Sequence, residues 1–371
     1  MATALQTSAA IDLDFLLEKI VEELQLTPTQ YQDAVQKYRA LGDWLQAPES
    51  PLAAMMPFIY AQGSMALQTT LKPRGRVEYD LDAVCELQTS LSSAMQLYDL
   101  LYARLDANGH YRPILERLKR CIRLNYAGQF HIDVIPSRPD RARPRPCIIV
   151  PDRTLRDWTP SNPRGFITWF KSRAEQSMVL RAAEPLPVQE SPDEKTPLAV
   201  AVQLIKRRRD MMFDGDDRAP RSILLTTLAG HLYDGEKHVG IATLRIVAGI
   251  EQAIVSAAPR WLDVRNPTNE DESFSESFTE ASYGAFRRFT SRFRSELAEL
   301  VSIRGGYPAL QTQLTSMFGE APVSKALRAF GERAKAARSG GLRFGSTGGL
   351  AIVGNAHQTP HTVPGNRFFG G

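Results

Sequence analysis

The chain has 371 residues, 43% of them hydrophobic and 23% charged, enough to bury a full core and to build two lobes around a cleft. A net charge of +4 on 45 basic and 41 acidic residues excludes a uniformly basic nucleic-acid coat and leaves room only for a local basic cleft. Three scattered cysteines, Cys85, Cys121 and Cys147, exclude a disulfide framework or a clustered zinc site, and suit a reducing compartment, read here as cytoplasm. With no N-terminal signal pattern and no run close to the roughly 18 apolar residues of a membrane helix, no membrane partner is expected.

In chain order, Leu13, Phe15, Leu16, Ile20, Val21 and Leu24 fall at helical spacing, and the pattern restarts after Thr27-Pro28, a cap followed by proline at the first helical position. Two consecutive helices are expected. Phe58-Ile59-Tyr60 reads as a short strand running into a Gly63-Ser64 turn, after which Met65 to Leu71 opens a helix that Pro73 ends. From Val77 to Leu87 the odd positions are apolar, while the even ones include Glu78, Asp80, Asp82 and Glu86. Period two predicts a half-buried strand.

An amphipathic stretch follows near 91–106. Ile122, Leu124 and Tyr126 then alternate with polar residues, Ala127-Gly128 turns the chain, and Phe130, Ile132 and Val134 alternate again, so a hairpin is expected. Asp133 lies on the face opposite those apolar residues and can look into the same cleft as Asp80 and Asp82. Segment 138–146, with Arg138, Arg141, Arg143 and Arg145 among prolines, reads as an irregular, solvated basic loop. Proline-spaced residues 184–197 read as a linker, and helices are predicted at about 197–213, 222–233, 241–257, 275–302 and 320–338. From Ser339 onward the chain has nine glycines and no acidic residue, which predicts a flexible tail. The expected division is 1–195, a catalytic lobe with N-terminal helices; 196–338, a helical lobe completing the cleft; and 339–371, the tail.

Joining a nucleoside hydroxyl to an α-phosphate calls for two divalent ions, one to acidify the hydroxyl and one to neutralise the leaving pyrophosphate. Magnesium wants hard oxygen ligands. Asp80 and Asp82 share one face of a strand, Asp133 comes from another, and Gly63-Ser64 lets backbone and hydroxyl approach a triphosphate. A lone D-x-D is two solvated carboxylates on an edge strand. Aspartate is disfavoured in strands, however, so its repetition beside a Gly-Ser turn and a third strand-borne aspartate points to a metal-dependent nucleotidyltransferase.

These residues resemble a known family. Gly63 to Pro73, Tyr79 to Leu87, Phe130 to Pro136, Asn162 to Phe166 with Trp169-Phe170, Gln203 to Asp210, Pro220 to Leu228 and Asn266-Pro267 are similar to the bacterial CD-NTases, relatives of cyclic GMP-AMP synthase and oligoadenylate synthase. The resemblance spans about 55–300. It implies an α/β (α+β) fold, a polymerase-β-like nucleotidyltransferase core with a central mixed sheet plus a mainly helical second lobe. It implies synthesis of a cyclic di- or trinucleotide from ATP, GTP or other triphosphates in CBASS antiphage signalling, read by a downstream effector. Residue by residue, Asp80, Asp82 and Asp133 match the ligands of two Mg²⁺ ions, with Mn²⁺ as a substitute, and Gly63 and Ser64 match the phosphate turn. Lys206 and Ser222 match positions touching the donor triphosphate, although Lys206 to Arg209 also reads as a solvated charge run. Gln62 and Tyr60 border the acceptor side or simply pack, and Asn162 either lines the base pocket or makes a turn.

No cluster of His and Cys suggests zinc-based DNA sensing, and none of the six histidines is assigned to catalysis. The ending Asn366-Arg367-Phe368-Phe369-Gly370-Gly371 is similar to tails of some relatives that an E1-E2-like partner joins to a target amine, which makes Gly371 a conjugation site or the end a frayed one. Two alternatives stay open: a linear polymerase or tRNA-type nucleotidyltransferase, separated by product size, and a nucleotide-binding signalling adaptor, which would normally have lost a carboxylate.

Overall fold

The computed structural model describes residues 2–72, 74, 78–126, 128, 130–174, 186, 189–190, 194–302, 306–339, 343–344 and 350–351. Helix α1 runs Ala2–Leu24 and α2 runs Pro28–Gln46. Thr27 separates them with a full capping box: its hydroxyl accepts from the Gln30 amide at 3.2 Å, and the Gln30 side chain accepts from the Thr27 amide at 3.0 Å. Proline at the first position of α2 forfeits an amide that has no helical partner anyway.

The strands are β1 (Phe58–Gln62), β2 (Tyr79–Glu86), β3 (Leu115–Arg117), β4 (Ile122–Tyr126), β5 (Phe130–Pro139), β6 (Ile148–Asp152) and β7 (Asp157–Ser161). They form one mixed sheet in the order β1-β2-β5-β4-β3, with β6 pairing the far end of β5 and β7 pairing β6. Only β2 and β5 run parallel; the other pairs are antiparallel. The β2–β5 register sets Asp80 beside His131 and Asp82 beside Asp133. One face of this sheet packs on α2 and on α4 (Ala94–Asp106) through Leu41, Leu45, Leu97, Leu101, Leu81 and Ile132.

A second core is helical, built from α5 (Pro163–Arg173), α6 (Pro197–Phe213), α7 (Ser222–Leu232), α8 (Val239–Ala257), α9 (Glu280–Ser302), α10 (Gly306–Phe318) and α11 (Glu320–Ser339). The predicted division at 195 is crossed by α1 and α5, whose Leu16, Leu17, Ile20, Phe166 and Phe170 are buried in that helical core. Helix α8 is long and apolar enough to pass for a membrane span, with mean hydropathy 1.4. A count of unbroken apolar residues misses it, because Thr243, Arg245 and Glu251 interrupt the run. Ala242, Ile246, Val247 and Ile250 are buried in the helical core.

Two expectations are corrected. The helix after the Gly-Ser turn is a single turn, α3 (Gly63–Ala66), and does not reach Leu71. Gln68 takes a left-handed φ of 58°, the Thr69 amide returns to the Ser64 carbonyl at 2.9 Å, and the chain leaves extended. The basic segment is not wholly irregular: Arg138 and Pro139 extend β5, because Ile148 and Ile149 supply an apolar partner strand. Its middle is a solvated connector as expected, with Arg141 and Arg145 exposed, but it is tethered: Arg145 pairs with the buried Glu86 at 2.7 Å and Arg143 pairs with Asp271. Helices α5 and α10, strands β3, β6 and β7, and the small β8 (Arg265–Asn266) and β9 (Asn269–Ser273) ladder were not predicted. Of the tail, only the pair β10 (Arg343–Phe344) and β11 (Leu350–Ala351) is described; the expectation for Gly371 lies outside the described residues.

Candidate active site

The floor of the site follows from strand alternation. In β2, Tyr79, Leu81 and Ala83 point into the core, so Glu78, Asp80 and Asp82 share the opposite face. Strand β1 delivers the chain to Gly63, whose φ of 62° favours glycine. Proximity matters more. A Cβ on Gly63 would lie 2.2 Å from Asp82 Oδ2, so only glycine lets the turn rest against this carboxylate.

Burial raises the Asp82 pKa to about 7, with the neighbouring Asp133 and Asp80 adding to the rise. Asp80 is also raised, chiefly by desolvation, and Arg123 offsets part of the effect. Arg123 is the residue that sequence reasoning missed. Its Nε donates to Asp133 Oδ1 at 2.7 Å, its Nη2 to Asp133 Oδ2 at 2.9 Å, and its Nη2 also reaches Asp80 Oδ1 at 3.3 Å. The signal was present: folding the 122–134 hairpin about its turn puts Arg123 opposite Asp133. Glu78 joins the same wall, accepting from Gly128 N at 2.6 Å and pairing with His131 at 2.9 Å.

The other wall is α6 and the start of α7. Gln203, fully buried, donates to the Thr70 carbonyl at 2.8 Å, and Lys206, one turn later, donates to the Thr69 carbonyl at 2.8 Å. Lys206 is therefore not on a solvated face; it is 6% exposed, and burial followed by Arg209 lowers its pKa to about 7. The segment it grips carries Thr70, whose hydroxyl donates to Ser64 Oγ at 3.1 Å. Ser222, at the first turn of α7, accepts from Arg209 Nη1 at 2.7 Å.

These walls enclose a cleft of about 640 Å³ lined by Gly63, Ser64, Asp80, Asp82, Lys206 and Ser222 among others. Two expected residues stand apart from its lining. Asp133 lies behind Arg123, 8% exposed, and Gln62 is the half-buried residue preceding α3, without a side-chain capping bond. Tyr60 is fully buried in a small cluster with Val84, Ile148 and Val150, so it packs. Asn162 caps α5, accepting from Gly165 N at 3.0 Å, and its amide donates to Thr268 O at 3.0 Å; it makes the turn.

Among the described residues, no three His, Cys, Asp or Glu side chains converge closely enough to form a ready cage. The residues nevertheless fit hard divalent ions. Three carboxylates on two paired strands offer oxygen donors alone; burial is the main cause of the raised Asp82 pKa, and the neighbouring Asp133 and Asp80 add to it while Arg123 offsets part.

Residues 13–174 match the family described as the Second Messenger Oligonucleotide or Dinucleotide Synthetase domain. Over 98% of its length the chain is 31% identical to a c-di-GMP synthase of Roseivirga ehrenbergii, 99% of which is covered. It is 30% identical to the cyclic dinucleotide synthase CdnG of Bradyrhizobium diazoefficiens, over 86% of this chain and 84% of that one. The structure of that CdnG in complex with GTP superposes with a TM-score of 0.70, at 28% identity, covering 86% of this chain and 98% of the other. The fold is shared with Vibrio cholerae DncV, a cyclic AMP-GMP synthase, at a TM-score of 0.56 and 16% identity, over 88% and 90% of the two chains.

Proposed function

The chain belongs to the bacterial CD-NTase family of second messenger oligonucleotide or dinucleotide synthetases, and from that premise we propose that it joins nucleoside triphosphates into a cyclic dinucleotide with release of pyrophosphate. One observation carries the reading: Asp82 and Asp133 stand side by side in parallel register, next to a Gly63-Ser64 turn and across a cleft from Lys206 and Ser222. The relatives named for c-di-GMP synthesis and for bound GTP make GTP the first substrate to test.

Asp80, Asp82 and Asp133 would hold two Mg²⁺ ions, with Mn²⁺ as a substitute. Bound there, the ions supply acidification of the attacking hydroxyl and neutralisation of the leaving pyrophosphate. The chain's own groups bind and orient. Because Ser64 Oγ accepts from Thr70, its own proton is free for a phosphate oxygen. Ser222 stands likewise, with Arg209 occupying a lone pair. Lys206, whose charge burial disfavours, regains it beside a triphosphate. One site must act twice, so the linear intermediate with its 5′ triphosphate turns round before its own hydroxyl closes the ring.

The wider setting we propose is cytoplasmic antiphage signalling of the CBASS kind, with an effector that reads the product and an E1-E2-like enzyme that acts on Gly371. Incubation with all four triphosphates and Mg²⁺ or Mn²⁺, then phosphatase and mass spectrometry, tests the reaction. A ladder of linear chains would favour the polymerase alternative.

A further inference from the structure

Arg123 projects from β4 directly across from Asp133 and occupies both of its oxygens, while the same guanidinium reaches Asp80, which lines the cleft. A guanidinium cannot shed its proton. An ion bound to either Asp133 oxygen would therefore meet a fixed positive charge a few ångströms away, and like charges at such range repel strongly. The strands that carry these groups lie inside the sheet and are held by paired backbone. What can move is the long Arg123 side chain, and a planar fork suited to a carboxylate suits a phosphate equally well.

We propose that Arg123 is a displaceable internal counter-ion: it holds Asp133 and Asp80 before substrate arrives, and releases them when a triphosphate in the cleft offers its guanidinium a phosphate instead. Divalent-ion binding is thereby coupled to nucleotide binding. This rests on the reading of the three aspartates as ion ligands. By linkage, each ligand then strengthens the other, and part of that coupling passes through Arg123.

The test is Mn²⁺ binding, followed by the paramagnetic signal of the free ion, with and without a non-hydrolysable GTP analogue. Arg123→Gln removes the charge but keeps an amide donor for Asp133. It is expected to bind Mn²⁺ roughly ten-fold tighter than wild type without nucleotide, and to gain less from the analogue than wild type does. Arg123→Lys retains the charge and should stay near wild type. Equal Mn²⁺ affinity in wild type and Arg123→Gln would overturn the proposal, as would a lysine variant as tight as the glutamine one. The two readings separate cleanly. If Asp80→Asn with Asp82→Asn abolishes Mn²⁺ binding while Arg123→Gln leaves it unchanged, the ligands stand and only the counter-ion role falls. If wild type and Arg123→Gln both fail to bind Mn²⁺, the ligand assignment itself is wrong and the proposal falls with it.

Discussion

Asp82→Asn should make the ion-free protein more stable while ending synthesis. The substitution is isosteric, so it opens no cavity, and it removes a charge that the fold disfavours. The Asp82 carboxyl is carried from an ordinary 3.8 to about 7 by burial, then by Asp133 and Asp80. The unfolded chain ionises this group through the lower value and the folded chain through the higher one. Stability from Asp82 is therefore full below about pH 4, falls as pH rises towards 7, and stays lost above it. At about 1.4 kcal/mol per pH unit the loss has an upper bound of about 4 kcal/mol; partial solvent access brings the expectation to about 2 kcal/mol. Urea midpoints in EDTA should place Asp82→Asn above wild type at about pH 8, with the gap closing near pH 4.5. Saturating Mg²⁺ should narrow the gap, because ions that bind only the wild type stabilise it. A variant less stable than wild type at pH 8, or a gap that ignores pH, would refute this account of Asp82.

Gly63→Ala should lower kcat/KM by about 100-fold or more, since the added methyl meets Asp82 Oδ2 at 2.2 Å and displacing catalytic groups by an ångström costs about that much; steady-state kinetics with a folded variant checks it. Ser64→Ala should raise the triphosphate KM about ten-fold with kcat largely kept, the signature of a lost hydrogen bond to a charged ligand. Lys206→Met should also raise KM. Because Lys206 is charged only below about 7 in the free enzyme, wild-type kcat/KM should fall above that pH more steeply than in the variant. Deleting Phe368 to Gly371 should leave synthesis by purified enzyme unchanged and abolish any higher-mass conjugate formed with E1-E2-like partners, read by intact mass.

Local signals carried much of the fold into view. Thr27-Pro28, the alternation around Asp80 and Asp82, and the hairpin carrying Asp133 depend on spacing within a dozen residues, and the structure reproduces them. What was hidden depends on partners far along the chain. The segment after Ala66 leaves its helix because α6, some 137 residues away, grips Thr69 through Lys206. Strand β6 forms because β5 is there to receive it. Lys206 to Arg209 looks like a solvated charge run, yet Lys206, Arg207 and Arg208 are buried, each held by a partner that spacing cannot reveal: Thr69, Phe318 and Glu296. Arg123 was within reach of the sequence, because the hairpin register alone places it opposite Asp133.

The most direct measurement is the product itself. GTP and Mg²⁺ should be incubated with wild type and with Asp80→Asn combined with Asp82→Asn, then treated with phosphatase and weighed by mass spectrometry. The account predicts a phosphatase-resistant mass of two linked nucleotides with no free terminal phosphate from wild type, a linear dinucleotide triphosphate in early samples weighed without phosphatase, and nothing from the paired variant. Linear chains of increasing length, or the same product from the paired variant, would contradict it.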